Sequence, residues 1–290
     1  AVPVGLPPAM SRIFGIRPRP GHPYLAGAPL LIAHRGGARL APENTMAAFR
    51  QAVERWEADI LEMDVRATAD GEIVVIHDDR VDRTCDGTGR VDEMTWAQIR
   101  ELDAGHHFTD EEGRHSFRRR GVGIPRFEEV LRAFPRVRLN VDSKAPDAAA
   151  GLVELIRKHG AEHRVLVAAV DESHRKDARG YPGPWGASRR QIRAFWVLHR
   201  LHLSRFGRIG ADALQVPPSW EGRTIVTPRF VRDAHRANLP IHVWTVDDPD
   251  EMRRFLDLDI DGIQTDRPDL LARVLVEETG RPPPPGLDDE

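Results

Sequence analysis

The sequence predicts an α/β chain folded as a (β/α)₈ TIM barrel with a small insertion after the second strand. Three observations carry this reading. Short apolar runs recur along the chain, helical patterns follow most of them, and about eight such units fit within residues 30–280. Repeated strand–helix alternation implies a parallel sheet, and eight units imply its closure. A doubly wound open sheet is the competing architecture. It is weaker because no glycine-rich phosphate loop opens the first helix.

The elements follow in order. Residues 1–29 hold seven prolines and no hydrophobic periodicity, which predicts an irregular Pro-rich N-terminal arm. The strand candidates are Leu30–His34, Ile60–Val65, Val137–Asp142, Val165–Val170, Trp185–Ser188, Ala213–Val216, Ile241–Val246 and Gly262–Thr265. Trp185–Ser188 carries the least apolar character of these. Helical patterns occupy Thr45–Glu57, Phe127–Phe134, Ala148–His159, Ser188–Phe206, Pro228–Asn238, Pro249–Leu256 and Pro268–Glu277. Thr227-Pro228 and Asp248-Pro249 supply a cap followed by a first-turn proline. After the second strand, Asp70-Gly71 separates two apolar runs and predicts a hairpin. Residues 79–123 then form a polar, Gly- and Arg-rich insertion, expected as a cap over the barrel mouth. Residues 281–290, "RPPPPGLDDE", read as a C-terminal tail that cannot continue a helix.

Composition narrows the function classes. A chain of 290 residues with 40% hydrophobic content can bury a sizeable core. No stretch approaches the roughly 20 apolar residues of a membrane span, so a soluble chain with no transmembrane segment is expected. The formal charge of −3 gives no reason to expect a nucleic-acid partner. Cys85 is the only cysteine, so no intrachain disulfide forms and a reducing, cytoplasmic compartment is favoured. The chain begins with Ala1 rather than Met, and the expectation is that an initiator or signal segment has been removed. Oligomeric state is left open.

Barrel active sites collect at the C-terminal ends of the strands. The first strand ends in His34-Arg35, followed by Gly36-Gly37, glycines that permit close backbone approach. In the second, the period of two puts Leu61, Met63 and Val65 on one face and Glu62 and Asp64 on the other. Two carboxylates aligned on a buried strand repel each other and resist desolvation, so they need a cation. The hairpin strand ends in His77-Asp78, and "VRLNVDSK" aligns Asn140, Asp142 and Lys144. Carboxylate oxygens without clustered Cys or His select a hard cation, one Mg²⁺ or Ca²⁺, over zinc. Arg35 and Lys144 suit a phosphate. Two histidines beside a metal-bound phosphoryl group suit a general base and a general acid. Together they form the equipment for cleaving a small-molecule phosphodiester.

The stretches "AHRGGARLAPENTMAAF", "LEMDVRATADGEIVVIHDD" and "VWTVDDPDEMRRFLDLDIDGIQTDRPDLL" resemble the glycerophosphodiester phosphodiesterases. The resemblance runs from about Leu30 to Leu275 and implies a (β/α)₈ barrel with a small insertion after the second strand. It implies that His34 and His77 are the catalytic acid–base pair, that Glu62 and Asp64 are metal ligands, and that Arg35 contacts phosphate. The family's third ligand is a glutamate in a strand reading like "EIK"; here "VDSK" puts Asp142 at that position and keeps Lys144. Pro42, Glu43, Asn44 and Thr45 match the family's "PENT" turn, with structural roles expected. Trp244, ending the seventh strand, lines the substrate pocket or sits in the core.

The mechanism this resemblance implies is attack on phosphorus by the substrate's neighbouring hydroxyl, then hydrolysis of the cyclic phosphate. Its products are glycerol 3-phosphate and an alcohol. The "HRGG" and "ENTM" runs are also similar to relatives that release the head group of lysophospholipids, the alternative substrate class. Ser188–Phe206, with five arginines among Ile192, Phe195, Trp196 and Leu203, reads as a barrel helix with a solvated basic side or as an interfacial helix in contact with a lipid surface. Arg118-Arg119-Arg120 is a solvated face or an anion-attracting rim. A metal-dependent amidohydrolase is disfavoured because no H-x-H follows the first strand. A barrel that binds phosphodiesters without cleaving them is disfavoured by the paired histidines.

Overall fold

The computed structural model describes residues 22–206 and 209–288. The proline-rich residues 1–21 lie outside the described residues. Strands β1 (Leu30–Ala33), β2 (Ile60–Ala67), β3 (Ile73–Val75), β4 (Arg138–Ser143) and β5 (Val165–Ala168) lead into β6 (Leu214–Val216). A short hairpin, β7 (Ser219–Trp220) and β8 (Arg223–Thr224), precedes β9 (Ile241–Val243) and β10 (Gly262–Thr265). The sheet order is β5-β4-β2-β1-β10-β9-β6, all parallel, with β3 antiparallel on β2.

The strand expected at Trp185–Ser188 shrinks to two parallel bridges, Val167 with Trp185 and Gly186 with Ala213. Those two bridges still join β5 to β6 and close the ring. Pro182 and Pro184 precede this segment and lack the amide donors that a longer ladder needs. Gly186 is closely packed here: a Cβ would stand 3.0 Å from the Ala168 Cβ and 3.2 Å from the Leu166 Cδ2.

The helices are α1 (Met46–Glu54), α2 (Trp96–Ile99), α3 (Phe127–Ala133), α4 (Ala148–Lys158), α5 (Arg189–Arg200), α6 (Pro228–Arg236), α7 (Pro249–Asp257), α8 (Pro268–Thr279) and α9 (Pro285–Asp288). Thr45, Ser188, Thr227 and Asp248 cap their helices through side-chain oxygens. Helix α5 stops six residues short of the expected Phe206. Leu201 leaves helical geometry and His202 turns left-handed at φ 60°, which ends the amide ladder. Helix α8 ends on Gly280 at φ 70°, and the following prolines do not extend it. The C-terminal residues instead fold back: Arg281 pairs with Asp59 at 2.8 Å, and the Gly286 amide donates to the Arg55 carbonyl.

Alternation sorts the strand residues between two compartments. Leu61, Met63 and Val65 join the main core between sheet and helices. Leu30, Ile32, Ile60, Leu166 and Ala213 pack together with Tyr24 inside the ring. Residues between β3 and α3 keep a small core of their own, with Val81, Cys85, Val91, Ile99 and Ile124 packed on Val74 and Ile76.

His242 lies within the ring, 1% exposed, with neither ring nitrogen hydrogen-bonded among the described residues. Burial pushes its imidazole down to about 4. A folded pKa below the unfolded value of about 6.5 means that the unfolded chain binds more protons between these values. Stability therefore falls as pH drops from about 6.5 to 4, with His242 accounting for about 3 kcal/mol. Urea unfolding at pH 7 and at pH 4.5 should show a smaller loss for His242→Gln than for the parent; equal losses would contradict this assignment.

Candidate active site

The loop after β1 sets the first site residues. Arg35, Gly36 and Gly37 are all left-handed, at φ 50°, 84° and 96°. A Cβ on Gly36 would stand 2.8 Å from the Ala48 Cβ of α1, and one on Gly37 2.8 Å from the Pro268 Cγ of α8. The close approach foreseen for these glycines is thus to helices that pack on the loop. Their packing turns the Arg35 amide inward, where it donates to Glu62 Oε2 at 2.9 Å.

The alternation foreseen for β2 is present: Glu62 and Asp64 are buried and line a cavity of about 660 Å³ at the strand ends. Parallel register sets Glu62 beside Asn140 and Asp64 beside Asp142. His34, Arg35, His77, Lys144 and Trp244 line the same cavity, so all eight candidate residues converge there. Residues 79–123, expected over the mouth, contribute no lining residue; α5 and the β7–β8 hairpin flank it instead.

Each histidine is held by an aspartate. His34 Nδ1 lies 2.7 Å from Asp266 Oδ1, and His77 Nδ1 lies 2.6 Å from Asp78 Oδ1. An ionised carboxylate only accepts, so each Nδ1 carries the proton and each Nε2 is left for chemistry. Burial opposes protonation of His34, but Asp266 and Glu62 prevail and raise its pKa. Burial also works against an ionised Asp78, yet hydrogen bonds from Arg83 and His77 pull it down to about 2. Arg83 reaches on to Glu43, 2.7 Å away, and Glu43 in turn pairs with Arg35 at 2.9 Å.

The acidic pair has cationic partners. Lys144 Nζ lies 3.0 Å from Asp64 Oδ1 and 2.6 Å from Asp142 Oδ2, and Arg35 Nε lies 3.2 Å from Asp64 Oδ2. Asn44, at φ 58°, exchanges two hydrogen bonds with Asp64. Burial raises Glu62 strongly, and neighbouring Asp64 adds to it. Burial acts on Asp64 in the same sense but loses to Lys144 and Arg35, which lower it. Asp142 is raised, by burial first. Arg35 and Lys144, foreseen as phosphate contacts, are therefore engaged with carboxylates.

Among the described residues, no group of three His, Cys, Asp or Glu side chains is arranged to hold a metal ion as the rotamers stand. The donor chemistry nevertheless fits a hard cation. Asp142 Oδ1 is buried without a hydrogen-bond partner, and Lys144 already bridges two of the three carboxylates as a positive charge.

A model of the glycerophosphoryl diester phosphodiesterase family matches residues 34–184 and 185–270. The chain belongs to this family. Members similar to it include a probable glycerophosphodiester phosphodiesterase 2 of Mycobacterium tuberculosis, 34% identical across 86% of this chain and 92% of that one. A glycerophosphodiester phosphodiesterase of Caldanaerobacter subterraneus is 30% identical across 85% and 97%. The crystal structure of a glycerophosphodiester phosphodiesterase from Agrobacterium tumefaciens superposes with a TM-score of 0.68, at 29% identity over 84% of this chain and 99% of that one. An Oleispira antarctica phosphodiesterase, solved with its product sn-glycerol-3-phosphate, shares the fold at a TM-score of 0.70 and 23% identity, over 85% of this chain and 96% of that one. As a member of this family the chain is a glycerophosphodiester phosphodiesterase.

Sequence reasoning missed Asp266 and the Glu43–Arg83 pair. Asp266 follows the last strand, and closure pairs that strand with β1, with Thr265 opposite Ala33. The next residue on each strand is then a neighbour, so His34 and Asp266 meet. Closure was the available signal. Asp266→Asn exchanges an acceptor for an amide that also donates, and should lower kcat for glycerophosphocholine at least tenfold with little change in KM. Steady-state kinetics across pH checks this; an unchanged kcat and pH profile would contradict the positioning role of Asp266.

Proposed function

We propose that this phosphodiesterase cleaves glycerophosphodiesters by acid–base catalysis between His34 and His77. The observation that carries the reading is that both imidazoles line one cavity with the acidic cluster, each with Nδ1 tied to an aspartate. One Nε2 accepts the proton of the hydroxyl next to the phosphodiester as its oxygen attacks phosphorus. The other donates a proton to the departing alkoxide oxygen as its bond to phosphorus breaks. The cyclic phosphate then opens by attack of water, with the two imidazoles exchanging roles. A glycerol 3-phosphate product is in keeping with the product complex of the Oleispira antarctica enzyme.

Glu62, Asp64 and Asp142 would hold a Mg²⁺ or Ca²⁺ ion, which when bound supplies positive charge to the phosphoryl oxygens. Lys144 and Arg35 balance the cluster's charge and stand ready to contact phosphate oxygens. Trp244 lines the wall that receives the organic part of the substrate.

His34→Ala and His77→Ala should each lower kcat for glycerophosphocholine by about 10²–10⁴-fold, the contribution of one positioned acid or base. Circular dichroism should report an unchanged fold. A 2-deoxy analogue of glycerophosphocholine should be turned over negligibly. Near-parental rates in either variant would remove that histidine from the mechanism, and equal rates on the analogue would mean that water attacks phosphorus directly.

A further inference from the structure

The large hydrophobic side chains left exposed among the described residues are Val170, Val197, Leu201, Leu203, Phe206 and Trp220. All six fall within residues 170–220, and Val170, Val197 and Trp220 also line the catalytic cavity. Half of these exposed apolar side chains therefore stand at the cavity mouth. Arg193, Val197 and Leu201 stand four residues apart and share one row along α5. The first two line the cavity, so Leu201 carries the row one turn beyond its rim. Phe195 and His199, on the opposite side of α5, are buried and meet Phe230 of α6 edge to face.

Charge accompanies this apolar rim. Arg189, Arg193, Arg200, Arg205 and Arg223 are exposed, and none enters an ion pair among the described residues. On other faces the exposed arginines are mixed: Arg90, Arg114 and Arg253 meet carboxylates, whereas Arg50, Arg120 and Arg232 enter no ion pair among the described residues. Arg200 lies over the Trp196 ring and Arg205 over Phe206, a mix of guanidinium and aromatic groups suited to the headgroup level of a bilayer. Asp171, Glu172 and Glu221 are acidic side chains of the same segments; Asp171 is lowered by hydrogen bonds from Ser173 and in part by Arg189, and Glu172 is paired with Arg190. A bare apolar rim set in unpaired positive charge is complementary to an anionic lipid surface, where both terms favour docking.

We propose that the mouth formed by α5 and the β7–β8 hairpin docks on an anionic lipid surface, from which the cavity takes phosphodiesters carrying an apolar chain. The apolar part of the inference rests on the catalytic site proposed above. The cavity's remaining wall includes Ile192, Trp196, Pro217 and Ile225, room that a glycerol and a choline group do not need.

The test measures full-length enzyme on vesicles of phosphatidylcholine with and without phosphatidylglycerol. The parent should cosediment with the anionic vesicles, weakly with neutral ones, and detach as salt is raised. Arg200→Glu with Arg205→Glu should lose at least about tenfold in partitioning, since each basic residue near an anionic surface contributes roughly fivefold. Leu201→Asp should also lose it. Both variants should keep parental turnover of water-soluble glycerophosphocholine, which reports the catalytic site separately and establishes folding. With lysophosphatidylcholine in anionic vesicles, the parent should release choline and the variants should do so at least about tenfold more slowly. No binding by the parent, parental binding by the variants, or a concentration-dependent dimer that buries this face would overturn the proposal.

Discussion

Two carboxylates on one face of β2, Glu62 and Asp64, are the constraint to which the site answers. Both are buried, they repel each other, and neither can be left uncompensated at that depth. The surrounding elements supply the compensation. β4 brings Lys144 to Asp64 and Asp142, the loop after β1 brings Arg35 and its amide, and the turn before α1 brings Asn44. Each arrival has its own backbone condition. Arg35 and Asn44 take left-handed geometry, and Gly36 and Gly37 leave room for α1 and α8 to press against the loop.

Compensation by Lys144 and Arg35 is a charge balance that a substrate can enter. A phosphodiester brings negative charge, and a hard cation brings positive charge, so the cluster can exchange one partner for another without uncovering a buried charge. Glu62 is the member least provided for: burial raises it, and its neighbour Asp64 raises it further. Asp142 Oδ1 is, like Asn140 Oδ1, a buried acceptor left without a donor among the described residues. Both features lie on the wall of the same cavity. The histidines border this balance, with His34 Nε2 3.9 Å from Glu62 Oε2, and each is fixed by its own aspartate.

Much of this was legible in the sequence because it follows local periodicity. Alternation in "ILEMDV" placed Glu62 and Asp64 opposite Leu61, Met63 and Val65, and the structure separates them between cavity and core in that way. Asp70-Gly71 marked the β2–β3 hairpin, with Gly71 at φ 83°. What was illegible depends on contacts between distant segments. Asp266 is 232 residues from His34 and meets it only because the ring closes. Trp185–Ser188, the least apolar of the strand candidates, is reduced to two bridges beside the prolines at 182 and 184. The helix from Ser188 carried no stop signal at Arg200, since left-handed His202 is a conformational choice made in the folded context. For Lys144 and Arg35, spacing showed which way each side chain points but not the carboxylate partners it meets.

The central claim is that Glu62, Asp64 and Asp142 form an acidic cluster completed by a divalent cation. Thermal unfolding followed during titration with Mg²⁺ and with Ca²⁺ tests it most directly, since an ion that binds only the folded chain raises Tm with concentration. The account predicts a saturable rise in Tm for the parent and little rise for Asp142→Asn, with both proteins folded before the ion is added. A parent whose Tm ignores both ions, or an Asp142→Asn variant that responds as the parent does, would contradict it.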